Sequence, residues 1–179
     1  MTSVVLFTVL LVLVGLERVA ELVVSRRNAA WSTSRGGVES GRRHYKVMVV
    51  LHTGLLVGAL VEVSTRRPPM LPLLAAGMLL LVLASQGLRW WCISTLGPRW
   101  NTRVIVVPGL PLVCDGPYRW MRHPNYVAVV VEGLALPLVH SAWITATVFT
   151  VLNAVLLSVR IKVENAALDT ATQHREAVR

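Results

Sequence analysis

The chain has 179 residues, 54% hydrophobic and 15% charged, with a mean hydropathy of +0.60 and a formal net charge of +9. Soluble domains carry about 25% charged residues, so this is the composition of a membrane-embedded protein, and the length is that of one domain. The positive charge would suit a nucleic-acid binder, but the basic residues are separated by long apolar runs, which argues against nucleic acid as a partner. Cys92 and Cys114 have no metal-ligand spacing and the histidines are scattered singly, so no metal site is expected.

A bilayer core takes about 20 apolar residues as helix. Five segments approach that length: residues 3–24, 45–63, 70–93, 124–139 and 142–162. The first lacks a basic start and a small-residue cleavage site, and reads as a retained span rather than a signal peptide. Pro72 occupies a tolerated first-turn position of the third. Only "HSA" joins the last two, which predicts a tight antiparallel hairpin. The expected fold is an all-α integral membrane bundle of about five transmembrane helices with a C-terminal helical hairpin, forming one domain over 1–179. Residues 1–93 hold three spans; residues 94–179 hold a long loop, the hairpin and a tail.

Lys and Arg cluster in alternate connections. Residues 25–46 carry Arg26, Arg27, Arg35, Arg42, Arg43 and Lys46; residues 89–123 carry Arg89, Arg99, Arg103, Arg119 and Arg122; the tail carries Arg160, Lys162, Arg175 and Arg179. The opposite side has only Arg66 and Arg67. The expected location is therefore the inner (cytoplasmic) membrane, with the N-terminus outside and the C-terminus inside.

Ionisable groups inside a span are costly and mark functional candidates. Glu17 and Glu21 lie one turn apart in "LERVAEL", and Arg18 reaches Glu21 at i,i+3. They form either a self-neutralising cluster or a polar wall that orients a lipid headgroup. His52 stands alone in the second span, as a packing residue or a functional one. Glu132 in the fourth is expected to pair with Arg18 or Arg89, or to serve the site. Asn28, Glu39, His44 and Tyr45 flank the cytoplasmic mouth where the first two spans meet.

The loop over residues 96–123 is rich in glycine and proline, hence rigid and turn-rich. It ends in "GPYRWMRHPNY", with Pro124 in the first turn of the next helix. That helix start offers free N–H groups and a positive dipole end to a carboxylate or phosphate. Tyr118 and Tyr126 offer aromatic faces to an adenine or a sulfonium. Arg160 and Glu164 share a face of the last helix in "RIKVEN". The antiparallel hairpin returns them to the level of His123 and Tyr126, as a site or as an interfacial anchor belt.

"GPYRWMRHPNY", a hairpin and "RIKVENAAL" together resemble the isoprenylcysteine carboxyl methyltransferase family of integral membrane enzymes, over residues 97–168. That family has an R-H-P-x-Y motif and an arginine-rich helix ending in a Glu-Glu pair. "ERVAELVVSRRN", "GGVESGRRHYKVMVVLH" and "RWWCISTLGPRWNTRV" resemble a bacterial branch encoded beside type III polyketide synthases, which methylates alkylpyrones or phenolic lipids. The resemblance implies S-adenosylmethionine as cofactor, bound in a cytoplasmic loop-and-hairpin pocket by Leu112, Val113, Tyr118, His123, Pro124, Asn125, Tyr126 and Glu164, with Arg103 in a looser position. Arg160 falls on the substrate side and, with Glu164, is the expected catalytic pair. Glu17, Glu21, Asn28, His44, Tyr45 and His52 are further candidates for the substrate side. Three positions depart from the pattern: Ala128 where a glycine is common, Asn165 for the second Glu, and Leu110 for a polar loop residue of eukaryotic relatives.

The expected reaction is methyl transfer to a membrane-embedded lipophilic acceptor, most simply the hydroxyl of an alkylpyrone or phenolic lipid reaching the site sideways from the bilayer lipids. A functional link to a type III polyketide synthase is implied with it. Methyl transfer is an in-line displacement that needs positioning and water exclusion rather than metal. A phenol with a pKa near 10 needs help losing its proton; Arg160 would steady the oxyanion, and Glu164, His44 and His52 are the candidate proton acceptors. The alternatives are carboxyl methylation of a prenylcysteine-like substrate and an NADPH-dependent membrane reductase.

Overall fold

The computed structural model describes residues 2–177, with side chains to residue 171. The Arg175 side chain and all of Arg179 lie outside the described residues. Five helices follow one another: α1 (Thr2–Thr33), α2 (Arg42–Arg66), α3 (Pro72–Leu96), α4 (Pro124–Leu138) and α5 (Trp143–Ala177). Two three-residue strands, β1 (Val38–Ser40) and β2 (Val104–Val106), lie outside the bundle.

The helices are apolar nearly all round, and their outward residues are large and greasy. Leu6, Val50, Leu73 and Leu80 are among the exposed side chains. In water so continuous an apolar surface would drive association; against lipid it is at rest. α1, α2, α3 and α5 are long and apolar enough to cross a membrane. α4 has 15 residues, about 22 Å at ~1.5 Å per residue, against a hydrocarbon core of about 30 Å. It is also the most enclosed helix. Ala128, Val129, Glu132, Gly133, Ala135 and Leu136 are all buried, between α3 and α5. The segment expected as a fourth span is thus an apolar helix sheathed by its neighbours and shorter than the other four.

Helix ends differ from the hydropathy boundaries. α1 continues past residue 24 to Thr33, because "SRRNAAWST" contains no breaker until Gly36 (φ 75°) and Gly37. α2 begins directly after Gly41 (φ 67°), and α3 continues to Leu96 before Gly97 (φ 53°) turns the chain. These extensions shorten the polar connections and leave room for the strands. β1 and β2 pair antiparallel with Val38 opposite Val106, Glu39 opposite Ile105 and Ser40 opposite Val104. This small sheet was absent from the all-α expectation, because three residues are too few to give a period. Arg89 requires a second correction. The count of basic residues places it in the third connection, but it lies in α3, buried between two carboxylates.

The apolar core sits at the end of the bundle away from the long loop. Phe7, Leu11 and Val14 of α1 meet Ala59, Val63, Val82, Ala135 and Leu136 there. The turn between α4 and α5 is tight, with Ser141 at φ 56°. α5 starts under a carboxylate. Glu62 accepts hydrogen bonds from the backbone N–H of Ile144 (3.1 Å) and Thr145 (2.8 Å) and from the Thr145 hydroxyl (2.7 Å), satisfying donors that a helix start leaves free. The hairpin is locked by a close crossing. A Cβ built on Gly133 would lie 2.0 Å from Cε1 of Phe149, so α4 and α5 approach this closely only because residue 133 has no side chain.

Candidate active site

A cavity of about 840 Å³ opens under the residue 97–123 loop and runs down into the bundle. Its upper wall is the loop itself. Arg99 donates to the Pro111 carbonyl (2.7 Å) and pins the loop's far limb. The Gly116–Arg119 turn seats on α3, where a Cβ on Gly116 would meet Thr95 Oγ1 at 2.5 Å. Trp120 packs edge-on against Trp91, centroids 5.6 Å apart. The C-terminal extension of α1 holds the near limb. Asn28 Nδ2 donates to the carbonyls of Gly97 (3.1 Å) and Trp100 (2.7 Å), and the Thr102 N–H donates to Ser25 Oγ (3.0 Å).

One connected set of polar groups occupies the wall where α4 and α5 face the loop. Tyr126 donates its hydroxyl hydrogen to Glu164 Oε2 and accepts from Arg160 Nε at 2.9 Å. Arg160 Nη2 donates to the Thr102 carbonyl, and Nη1 lies 3.3 Å from the Met48 sulfur. Arg160 is therefore held by α2, the loop and α4 at once. On the other side of Glu164, His123 Nδ1 stands 3.6 Å from Oε1, while His123 Nε2 lies 3.0 Å from Asn165 Oδ1. Both ring nitrogens face oxygens, which suits a ring carrying two hydrogens. The Glu164 carboxylate accordingly holds the His123 imidazole above its usual 6.5. Burial pushes the Tyr118 phenol up, with the neighbouring Cys92 adding to it, so Tyr118 remains a neutral hydroxyl.

His123, Tyr126, Arg160 and Glu164 thus come together as the hairpin predicts. Arg103, Leu112, Val113, Tyr118 and Asn125 also line the cavity; Pro124 is buried behind it. Arg103 stacks on Tyr45 (5.0 Å to the ring centroid) and stands 3.7 Å from Glu39. The substrate-side candidates divide. Glu21, His52 and Arg160 line the cavity, whereas Glu17, Asn28, His44 and Tyr45 do not. Glu17 accepts from Trp90 Nε1 (2.6 Å), and Asn28 is a loop clamp. Asn165, a departure from the family's Glu pair, supplies the oxygen that His123 Nε2 faces.

Deeper in the cavity is an ionic cluster. Arg89 donates to Glu132 Oε2 and lies 3.4 Å from Glu21; Arg18 bonds Glu21 (2.9 Å) and Gln86 (2.8 Å) and lies 3.6 Å from Glu132. The expected pairing of Glu132 is met by both arginines. Gln86, Thr102, Met48 and Asn153 were not foreseen. Asn153 carried a legible signal: it is a polar residue in a span, seven positions before Arg160 and so on the same helix face.

A model of the isoprenylcysteine carboxyl methyltransferase (ICMT) family matches residues 78–170. The chain is also 38% identical over 165 residues to the uncharacterized protein YpbQ of Bacillus subtilis, covering 91% of this chain and 96% of that protein. It is 24% identical over 152 residues to an uncharacterized protein of Haemophilus influenzae, covering 84% and 88%. Family members use S-adenosylmethionine and transfer its methyl group within a membrane. On the matched segment, which runs from α3 through the loop to α5 and contains the whole Tyr126–Arg160–Glu164 set, the chain belongs to the isoprenylcysteine carboxyl methyltransferase family of multi-pass membrane methyltransferases.

Proposed function

We propose that the protein transfers the methyl group of S-adenosylmethionine to a hydroxyl of a lipophilic acceptor, a polyketide-derived alkylpyrone or phenolic lipid, at the cytoplasmic face of the inner membrane. The observation that carries this reading is the shape of the cavity wall. Val19 of α1 and Val49, Thr53 and Val57 of α2 line the cavity, and all four are exposed, so this wall is open and largely apolar. An open apolar wall formed by two candidate membrane-spanning helices suits an acceptor that arrives from the bilayer.

The residues around the loop fit the cofactor. Asn125 Oδ1 is buried without a hydrogen-bond partner beside the cavity, an acceptor in want of an N–H or O–H. The start of α4 supplies backbone N–H groups for a carboxylate, and Glu164 supplies a negative charge for a sulfonium or ammonium. When bound, the cofactor supplies an electrophilic methyl. Tyr126 and His123 hold the Glu164 carboxylate in place, and Arg160 presents positive charge where an acceptor oxygen becomes negative. Thr102 and Met48 keep that guanidinium from turning away.

Thermal unfolding of the detergent-solubilised protein with S-adenosylhomocysteine, and separately with NADPH, tests the class. Ligand that binds the folded state raises stability, so S-adenosylhomocysteine raises Tm and NADPH does not. A rise with NADPH alone would turn the reading to a reductase. Product analysis with alkylpyrone, alkylresorcinol and a prenylcysteine then identifies the acceptor, and methylation of the prenylcysteine alone would overturn the hydroxyl assignment.

A further inference from the structure

We infer that His52, inside the second helix, is the group that takes the proton from the acceptor's hydroxyl, and that the site is therefore built for a protonated hydroxyl rather than a carboxylate. The inference rests on the methyl-transfer reading above.

Three groups compete for this role, and their surroundings separate them. Glu164 is engaged on both oxygens, by the Tyr126 hydroxyl on one and by His123 on the other. Accepting another proton would break that arrangement. His44 does not line the cavity and packs against Gly41. His52 does line it. Its Nδ1 lies 2.9 Å from the Met48 carbonyl, one turn earlier on α2. A carbonyl only accepts, so Nδ1 carries the hydrogen and Nε2 of the neutral ring presents a lone pair. The ring stands edge-on against Phe149, centroids 5.3 Å apart and planes at 86°, and Phe149 is itself fixed over Gly133. The imidazole is thus fixed in orientation from two sides.

Its position relative to Arg160 completes the argument. Arg160 Nη1 touches the Met48 side chain, and His52 follows Met48 by one turn, about 5.4 Å along the helix. A hydroxyl oxygen beside Arg160 is therefore on the same cavity wall as the His52 lone pair. On α5, one turn after Phe149 and two turns before Arg160, Asn153 is 2% exposed, lines the cavity, and has its Oδ1 without a hydrogen-bond partner. That free acceptor suits a second O–H donor on the acceptor molecule. The charged groups that act on the ring are Arg89 of α3, Glu132 of α4 and Arg18 of α1. They are paired among themselves, and among the described contacts none engages His52 Nε2.

In the reaction the hydroxyl oxygen forms a bond to the methyl carbon while the carbon–sulfur bond of the sulfonium breaks, its electron pair staying on sulfur. The hydroxyl proton passes to His52 Nε2, and the resulting imidazolium releases it to water. A carboxylate has no proton to give, so His52 would be idle for it.

The test is His52→Asn, whose amide keeps a donor for the Met48 carbonyl but removes the lone pair. Turnover is compared for a 3-alkylphenol and for a 4-hydroxy-6-alkyl-2-pyrone already ionised at the assay pH. General-base catalysis contributes about 100- to 10,000-fold. The expected loss is of that size for the phenol and within a few-fold for the pyrone, with stabilisation by S-adenosylhomocysteine unchanged. A second readout needs no turnover. An alkyl-nitrophenol bound with S-adenosylhomocysteine reports its own ionisation by absorbance, and should ionise at lower pH in wild type than in the variant. Equal losses for both acceptors with S-adenosylhomocysteine still bound, or the same nitrophenol titration in both proteins, would overturn the assignment of His52 alone. Absence of turnover and of S-adenosylhomocysteine stabilisation in wild type would overturn the methyl-transfer reading and this one with it.

Discussion

Arg160 shows how one side chain can be specified by three distant parts of the chain. Its donors are taken by Tyr126, Thr102 and the Met48 sulfur, and Thr102 is in turn held by Ser25. Replacing it by alanine removes the positive charge facing the acceptor but leaves Tyr126 bonded to Glu164. We expect Arg160→Ala to abolish turnover while S-adenosylhomocysteine still raises Tm; parallel loss of both would refute that division of labour. His123 gives a pH prediction. Its folded pKa is raised above 6.5 by Glu164, so its contribution to stability is fully present below about pH 6.5 and is lost as pH rises through the folded value. For a partly exposed pair this is on the order of 1 kcal/mol, or roughly 2–4 °C in a chain of this size. The Tm gap between wild type and His123→Gln should be largest near pH 6 and close toward about pH 9. A gap that is constant across that range would mean the histidine acts by packing alone.

At the scale of the helices, the close crossing of α4 and α5 governs the site. Gly133 admits the Phe149 ring, and Phe149 orients His52. Gly133→Ala must displace a buried ring, and overpacking of this kind costs typically 1–3 kcal/mol. The expected result is a Tm lowered by several degrees together with reduced turnover, and Phe149→Leu in the same chain should recover part of the stability. No recovery would mean that the ring is not what the added methyl strikes. The ionic cluster joins α1, α3 and α4, with Glu17, Glu21 and Glu132 offset by Arg18 and Arg89. Such a cluster holds only as a set, since removing one member leaves a buried charge uncompensated. The two carboxylates that flank Arg89 explain how it lies inside a span rather than with the basic residues of the following connection.

For the molecule as a whole, the distribution of basic residues predicts the orientation. Removing Arg89 from the count leaves the imbalance intact, because Arg66 and Arg67 still stand alone against all the others. A reporter fused after Arg179 is expected to be cytoplasmic, and one inserted between Arg67 and Pro72 extracytoplasmic; the reverse pattern would overturn both the topology and the placement of the cavity mouth. With α4 only 15 residues long, the same fusions test whether it crosses with the other four, since an odd number of crossings separates the termini and an even number does not.

The sequence by itself determined the membrane class, the five apolar segments, the antiparallel hairpin and, through the spacing of "RHPNY" and "RIKVEN", the meeting of His123, Tyr126, Arg160 and Glu164. Each of these is carried by local composition or by helical period, so each is legible without a partner. Tertiary structure alone decided that α1 reaches the loop through Asn28 and Ser25, that two three-residue strands pair across 66 positions between Glu39 and Ile105, and that Asn28, His44 and Tyr45 stand off the cavity while His52 and Asn153 face it. These depend on how helices rotate about their axes and cross one another. That rotation is set by a few close contacts, such as Gly133 against Phe149 and Arg89 between Glu21 and Glu132, which are spread over the whole chain and leave no local pattern.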